Sequence, residues 1–447
     1  MKKRERLMAL MVVFLAIALA GCSFGGQKDG AGNKQNENVQ PAGKMDVIEK
    51  PVTLKIYFPK EFSDEVYAKF VKEPIEKKFP NVTLERQLPE KGGPEGMNIL
   101  LTSGDVPDLF YSVPGWYGKL QLSHVFDDLT PLIQKYNFDM GRLHPMVLET
   151  IKSYSKDGKI EILPESMATL VLVYNKAIFD KFGVPYPKDG MTWEQMMTVA
   201  RDVSKTDDGT QFRGLEFDRF FPINNSQMSL PFVDPKTNKA IISSDGWQKF
   251  MSTLKAVYDV PGNKPPKMIG NGALFYKEKT LAMFIGNINY LNNLMSIPDS
   301  DLQWDMVTMP TFSDLPGTAT QVNTPYYGIT PTSTHKDEAF KVIAYLLSDE
   351  MQTYYNKEGR LTVLNDKAIR DQYGANLKEL SGKNVKAVTT LQPAGPRPFT
   401  LYDDYVVVQL SNALQRATID NIDLNTALRE AGELADKEIE NYINSMK

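Results

Sequence analysis

Cysteine is almost missing: Cys22 is the only one in 447 residues. One cysteine allows no internal disulfide and no cysteine-built metal site, so stability must come from core burial. Histidine is scarce too. His124, His144 and His335 are scattered, with no HExxH and no metal-ligand spacing. There is no Gly-x-Ser-x-Gly, and the glycine-rich run Gly92-Gly93-Pro94-Glu95-Gly96 lacks the Lys-Ser/Thr end of a phosphate loop. No internal repeat is present. The formal charge is only −4, and mild acidity argues against nucleic acid as a partner. Beyond residues 7–20 no stretch is long and apolar enough to span a bilayer. Asp and Glu are abundant, which leaves open a carboxylate pair for glycoside hydrolysis, but no stretch singles one out.

The one cysteine is well placed. Lys2-Lys3-Arg4-Glu5-Arg6 is a basic head, Leu7 to Ala20 is apolar, and Leu19-Ala20-Gly21-Cys22 closes the run. Positive head, short apolar stretch and small residues make a secretory signal, too short and too early for a spanning helix. The final four residues resemble the lipobox of bacterial lipoproteins. That resemblance implies cleavage before Cys22, whose thiol then carries acyl chains and anchors the protein to the membrane. An acylated Cys22 leaves no thiol for catalysis. Loss of residues 1–21 removes four basic residues and one acidic, leaving a balance of −7. Residues 22–50, rich in Gly, Asn, Gln and Lys, cannot bury enough surface to fold, and are expected to form a flexible tether.

The body begins with Val52-Thr53-Leu54-Lys55-Ile56-Tyr57-Phe58, an alternating strand. Ser63 to Phe79 has the spacing of an amphipathic helix, with a kink expected at Pro74. Asn81 to Glu85 is a second strand, Glu95 to Thr102 a helix stopped near Gly104, and Asp108 to Tyr111 a third strand. Strand, helix, strand, helix, strand predicts a parallel α/β sheet. Further on, the helix Asn175 to Phe182 stops at Gly183, and Thr192-Trp193-Glu194-Gln195 forms a capping box. Thr334-His335-Lys336-Asp337 offers a similar cap. Tyr405 to Met446 is predicted helical with a break at Asp420–Asp423.

Several pieces then fall in a familiar order. Thr102-Ser103-Gly104-Asp105-Val106-Pro107-Asp108-Leu109 carries a Gly-x-x-Pro-Asp turn. Leu163-Pro164 is followed by Val173-Tyr174-Asn175-Lys176 and by Phe179-Asp180-Lys181-Phe182-Gly183. Pro187 precedes Thr192-Trp193-Glu194. Ala282-Met283-Phe284-Ile285-Gly286, Asp305-Met306-Val307-Thr308-Met309-Pro310 and His335-Lys336-Asp337-Glu338-Ala339 complete the series. Together these resemble the extracellular solute-binding proteins of ABC importers, in the carbohydrate-leaning group related to maltodextrin-binding proteins. The resemblance implies an α/β, two-lobed periplasmic-binding-protein-like fold with a hinge and an interlobe ligand cleft. The expected lobes are 51–164 plus 308–358 and 165–307 plus 359–447. A calcium loop known in this group is not expected at Thr206–Gly214, which lacks oxygen ligands at alternating positions.

What the resemblance implies for function is a lipid-anchored monomer that is not an enzyme. It needs no cofactor and no metal, and it delivers an oligosaccharide to ABC permease subunits at the outer face of a cell membrane, in a Gram-positive bacterium. A peptide or other small metabolite is the alternative ligand, and a glycan hydrolase a more distant one. Sugar rings stack on aromatic faces while their hydroxyls need polar partners, and turns after strands line clefts in open α/β folds. The candidate ligand residues are therefore Phe58, Asp108, Tyr111, Trp116, Tyr174, Asn287, Asn289, Tyr290, Tyr326 and Tyr327. Trp193, Trp247 and Trp304 are expected to be structural.

Overall fold

The computed structural model describes residues 44–155, 157–295 and 301–445. The expected signal, Cys22 and most of the expected tether lie outside them. The strands that position the site are β1 (Val52–Tyr57), β2 (Val82–Gln87), β3 (Leu109–Ser112), β4 (Leu163–Pro164), β5 (Leu170–Asn175), β6 (Arg213–Phe217), β7 (Leu281–Asn287), β8 (Trp304–Thr308), β9 (Thr318–Gln321), β10 (Tyr326–Ile329) and β11 (Gln392–Ala394). Two sheets form. The first runs β2-β1-β3-β10-β4, the second β8-β5-β7-β6. β1 pairs in parallel with β2 and β3, as the alternation of strand and helix predicts, while β10 enters antiparallel to β3. The chain crosses between the sheets after Pro164, back after Thr308, and again around β11, which lies parallel to β9. These are the two α/β lobes of a hinged binding fold.

Local signals explain the helices. Pro94 opens α1 (Gly93–Ser103), where its missing N–H costs nothing, and Gly104 ends it at φ 77°. α2 (Tyr117–Leu122) and α3 (Pro145–Tyr154) complete the first lobe's cleft side. Asn175 caps α4 (Lys176–Phe182), and Gly183 stops it at φ 64°. At α5 (Trp193–Val203) both arms of the capping box are made. Pro74 causes no break. It sits in the first turn of a helical segment, directly after a π-helical turn at Ala68–Lys72, which absorbs the missing donor. The cap expected at Thr334 is different: no side chain caps the helix beginning at Lys336, and the Ser333 hydroxyl accepts the His335 N–H. α6 (Phe221–Asn224) and α7 (Asp245–Asp259) follow β6, and the C-terminal pair is α8 (Asp403–Ile419) and α9 (Leu424–Ser445), broken where Asn421 adopts φ 57°.

One core centres on the first sheet, with Leu54, Ile56, Leu109, Phe110, Ile329 and Phe340. The other lies under the second sheet, with Leu172, Trp193, Leu215, Trp247, Met283 and Leu410. Trp193, Trp247 and Trp304 are all buried, and the first two donate their Nε1–H to Gln227 Oε1 and the Pro231 carbonyl. Residues 359–380, expected with the second lobe, pack instead on the first. Leu361 bridges to Met167, Leu364 bridges to Leu143, and Asn356 donates to the Ile369 carbonyl. Residues 206–211 form a small hairpin turned through Asp208 and Gly209, both at positive φ. Among the described residues no group of three or more His, Cys, Asp or Glu could hold a metal ion, and no helix is long and apolar enough to cross a membrane.

Candidate functional site

The parallel strands of the first sheet point their C-terminal ends at the second lobe. There a narrow cavity of about 30 Å³ is enclosed by residues from five parts of the chain, room for one or two waters. The first lobe supplies Pro114, just after β3, and Thr150, Ser153 and Tyr154 from the last turn of α3. The second supplies Asn224 and Asn225 at the end of α6. The crossing segments supply Gln321 and Val322, and Pro396, Arg397 and Phe399, with Asp404 opening α8.

The apolar side of the cavity is an aromatic group. Tyr154 stacks on Tyr117, centroids 4.5 Å apart at 27°. Phe399 stands edge-on to both, at 5.0 and 5.3 Å. Tyr117 is fixed from behind, its hydroxyl donating to Glu161. Contact here is tight between segments distant in the chain. A Cβ on Gly118 would lie 2.6 Å from the Leu401 carbonyl oxygen, so α2 approaches residue 401 only because position 118 has no side chain.

The polar side is organised by Arg397. Its guanidinium lies over the Phe232 ring at 4.5 Å. Nη1 donates to the Asn224 carbonyl at 3.1 Å and to Gln321 Oε1 at 3.4 Å, and Nη2 pairs with Asp403 Oδ2 at 3.4 Å. Thr400 Oγ1 donates to the other Asp403 oxygen at 2.6 Å. Gln321 Nε2 donates to the Gly395 carbonyl, and Asn225 Oδ1 accepts from Asn323. Asp403 Oδ2 and Asp404 Oδ2 are both buried without a hydrogen-bond partner, as is Arg397 Nε, but only Asp403 Oδ2 has the guanidinium within ion-pair distance. Burial first, then the neighbouring Asp403, push the Asp404 carboxyl up to about 7, against the pull of Lys119 and Arg397. Burial raises Asp403 as well, opposed by Arg397 and Thr400, and lifts the Tyr154 hydroxyl to about 12.

Of the ten sequence-predicted residues, the nine whose side chains are described do not line this cavity. Phe58 and Tyr111 are 1% exposed and stack on each other at 4.6 Å, with the Arg86 guanidinium 5.3 Å from Phe58. Tyr326 and Tyr327 are fully buried in the same layer. These rings do sit at the strand ends, but Tyr67 and Arg86 cover Phe58, Tyr117 and Phe126 pack on Tyr326, and Tyr111 packs on Tyr327, which makes them core. Tyr326 comes nearest: its ring centroid is 6.0 Å from that of Tyr117, and its hydroxyl is buried without a partner. Tyr174 packs edge-on to Phe179 and is buried in the second core. Asp108 lies at the opposite, N-terminal end of β3, where it accepts from the Lys55 N–H and from Ser333. Asn287 holds a turn by accepting the Asn289 N–H, and Asn289 is exposed. The Tyr290 side chain lies outside the described residues. Trp116 is half-buried, and a Cβ on Gly93 would meet its ring at 3.3 Å.

The residues that do line the cavity carried faint signals. Gly395-Pro396-Arg397-Pro398 is a rigid arginine-bearing loop, and Thr400 to Asp404 is an acidic helix start. Nothing local links either to Tyr154.

A model of the bacterial extracellular solute-binding proteins matches residues 57–353. The chain belongs to that family. Solved structures share its two-lobed fold. An ABC substrate-binding protein of Listeria monocytogenes in complex with cycloalternan superposes with a TM-score of 0.71 at 19% identity, covering 88% of this chain and 100% of its own. The sugar-binding protein MalE of Xanthomonas citri gives 0.69 at 17% identity, covering 89% and 100%. UgpB of Mycobacterium tuberculosis, in complex with glycerophosphocholine, gives 0.67 at 15% identity, covering 88% and 99%. As a member of this family, the chain is an extracellular solute-binding protein.

Proposed function

We propose that this solute-binding protein captures an oligosaccharide between its lobes and hands it to an ABC permease, held at the outer face of the membrane by lipid on Cys22. The observation that carries the ligand class is the cavity wall. Tyr154 and Phe399 offer aromatic faces from opposite sides of the hinge, and Asn224, Asn225, Gln321, Arg397 and Asp404 ring them with donors and acceptors. A sugar needs both, because its C–H faces are apolar and its hydroxyls must be hydrogen-bonded once water is excluded. The narrow cavity is the closed arrangement of the lobes, and hinge opening admits the ligand. The cycloalternan complex of a fold relative is in keeping with a sugar.

Cys22, residues 23–43 and the membrane belong together in this proposal, while residues 44–50 pack on the first lobe, with Ile48 buried and the Ile48 and Glu49 carbonyls accepting from Asn81. A tether confines the lobes near a permease at high effective concentration.

A glycan array followed by calorimetry tests the ligand class. A neutral or amino oligosaccharide should bind with roughly micromolar Kd, about −8 kcal/mol, and raise the melting temperature. Tyr154→Ala should weaken that binding by tenfold or more. Sugars that leave the melting temperature unmoved, beside a glycerophosphodiester or a peptide that raises it, would favour the other small-metabolite class, to which the glycerophosphocholine complex of UgpB lends some weight.

A further inference from the structure

The cleft's charges do not balance. Asp403 and Asp404 open α8 side by side, and one guanidinium faces them. Arg397 pairs with Asp403 and donates to Asn224 and Gln321, its Nε–H is buried without a partner, and its single charge is shared between two carboxylates. Asp404 receives none of its bonds, and Asp404 Oδ2 is buried on the cavity wall without a partner. The other groups acting on the pair do not supply one. Lys119 is exposed, its ammonium 6.0 Å from the Tyr405 ring. Tyr154 and Tyr326 bring hydroxyls, and Tyr326 Oη is itself buried and unpartnered. Glu161, behind Tyr117, adds a further negative charge. The first-turn N–H groups of α8 favour an anion here, but they are shared by both carboxylates.

A buried carboxylate with no counterion is costly in a protein that has nothing else to do with it. It is well suited to a ligand that brings the missing charge, because an ammonium beside it favours the ionised form that burial alone disfavours. From this we infer that Asp404 is a specificity-determining residue, and that it selects a sugar carrying an ammonium group over its neutral, hydroxyl-bearing counterpart. The aromatic faces of Tyr154 and Phe399 suit the same ligand, since a cation near an aromatic ring is also attracted to it. The raised pKa of Asp404 is the expected signature of a carboxylate waiting for a positive partner. The inference rests on the cleft being a sugar site, as proposed above.

The test uses the full chain in detergent and two isosteric ligand series: β-1,4-linked glucosamine oligomers and β-1,4-linked glucose oligomers of equal length, which exchange an ammonium for a hydroxyl. Spermidine is the non-sugar cation. Titration calorimetry at about pH 7 should show the amino series binding about tenfold tighter, the difference between a charge-assisted and a neutral hydrogen bond. In Asp404→Asn, checked for folding by its melting curve, the ratio of the two affinities should fall toward one. Equal or tighter binding of the glucose series to the natural chain overturns the inference and leaves the sugar proposal standing. So does an amino preference that survives in Asp404→Asn. Spermidine binding that depends on Asp404, with neither sugar series bound, supports the cation site and removes the sugar. No binding by any of the three overturns both.

Discussion

Asp404 also makes a prediction about stability that needs no ligand. Its carboxyl is raised from 3.8 to about 7, by burial first and Asp403 second. The folded state therefore holds a proton that the unfolded chain gives up. A carboxylate with a raised folded pKa contributes most below the unfolded value, and that contribution is lost as pH rises to the folded one. Over the roughly three-unit shift, at about 1.36 kcal/mol per unit, the loss reaches about 4 kcal/mol. About 1.5 kcal/mol of it has accrued by pH 5, so about 2.5 kcal/mol develops between pH 5 and pH 8. Asparagine keeps the shape and removes the charge. A buried amide donor without a partner would cost about 1–3 kcal/mol, but equally at every pH. The difference in unfolding free energy, Asp404→Asn minus the natural chain, should therefore move in favour of the variant by about 2.5 kcal/mol from pH 5 to pH 8. Urea unfolding followed by both tryptophan fluorescence and circular dichroism measures it, with coincident transitions as the check for two-state behaviour. A flat difference across that range, or one that moves against the variant, refutes the burial argument for Asp404.

Three further outcomes follow from particular contacts. Gly118→Val places a side chain against the Leu401 backbone, 2.6 Å away at Cβ. It should weaken ligand binding by tenfold or more while each lobe keeps its far-ultraviolet spectrum, and small-angle scattering should show a more open particle. Arg360→Met strands Glu165, whose carboxylate is 1% exposed and pairs with Arg360 at 2.7 Å. A loss of about 3–5 kcal/mol in urea unfolding is expected, and Glu165→Gln in the same chain should restore part of it. Cys22→Ser should release the protein from membranes on cell fractionation and leave ligand affinity in calorimetry unchanged. A drop in affinity would contradict an anchor-only role.

Much of the fold could be read locally. Thr192 and Gln195 cap a helix because the two partners are three residues apart, and Gly183 stops one because a left-handed residue is needed there. The alternation in β1 and the parallel pairing with β2 and β3 follow from strand and helix periods. The aromatic candidates are buried for a physical reason. Phe58, Tyr111, Tyr326 and Tyr327 stand at the cleft-side ends of their strands, but whether a ring there meets solvent or core depends on what covers it. Tyr67 and Arg86 cover Phe58, Tyr117 and Phe126 pack on Tyr326, and no pattern around the rings themselves reports these partners. Asp108 lies away from the cavity for a simpler reason: β3 is only four residues long, and the turn before it bonds to Lys55 and Ser333.

From the sequence alone came the order of strands and helices and the family they spell, along with the expectation of a lipobox at Cys22, because each is written in residues close together in the chain. Which side chains meet at the hinge was decided by tertiary structure alone. Tyr154, Asn224, Gln321, Arg397 and Asp404 come from segments separated by up to 250 positions, and two lobes and three crossings bring them together. The charge imbalance at Asp404 exists only there. In the unfolded chain water solvates both neighbouring acids, and burial beside a single shared arginine makes one of them keep its proton to higher pH.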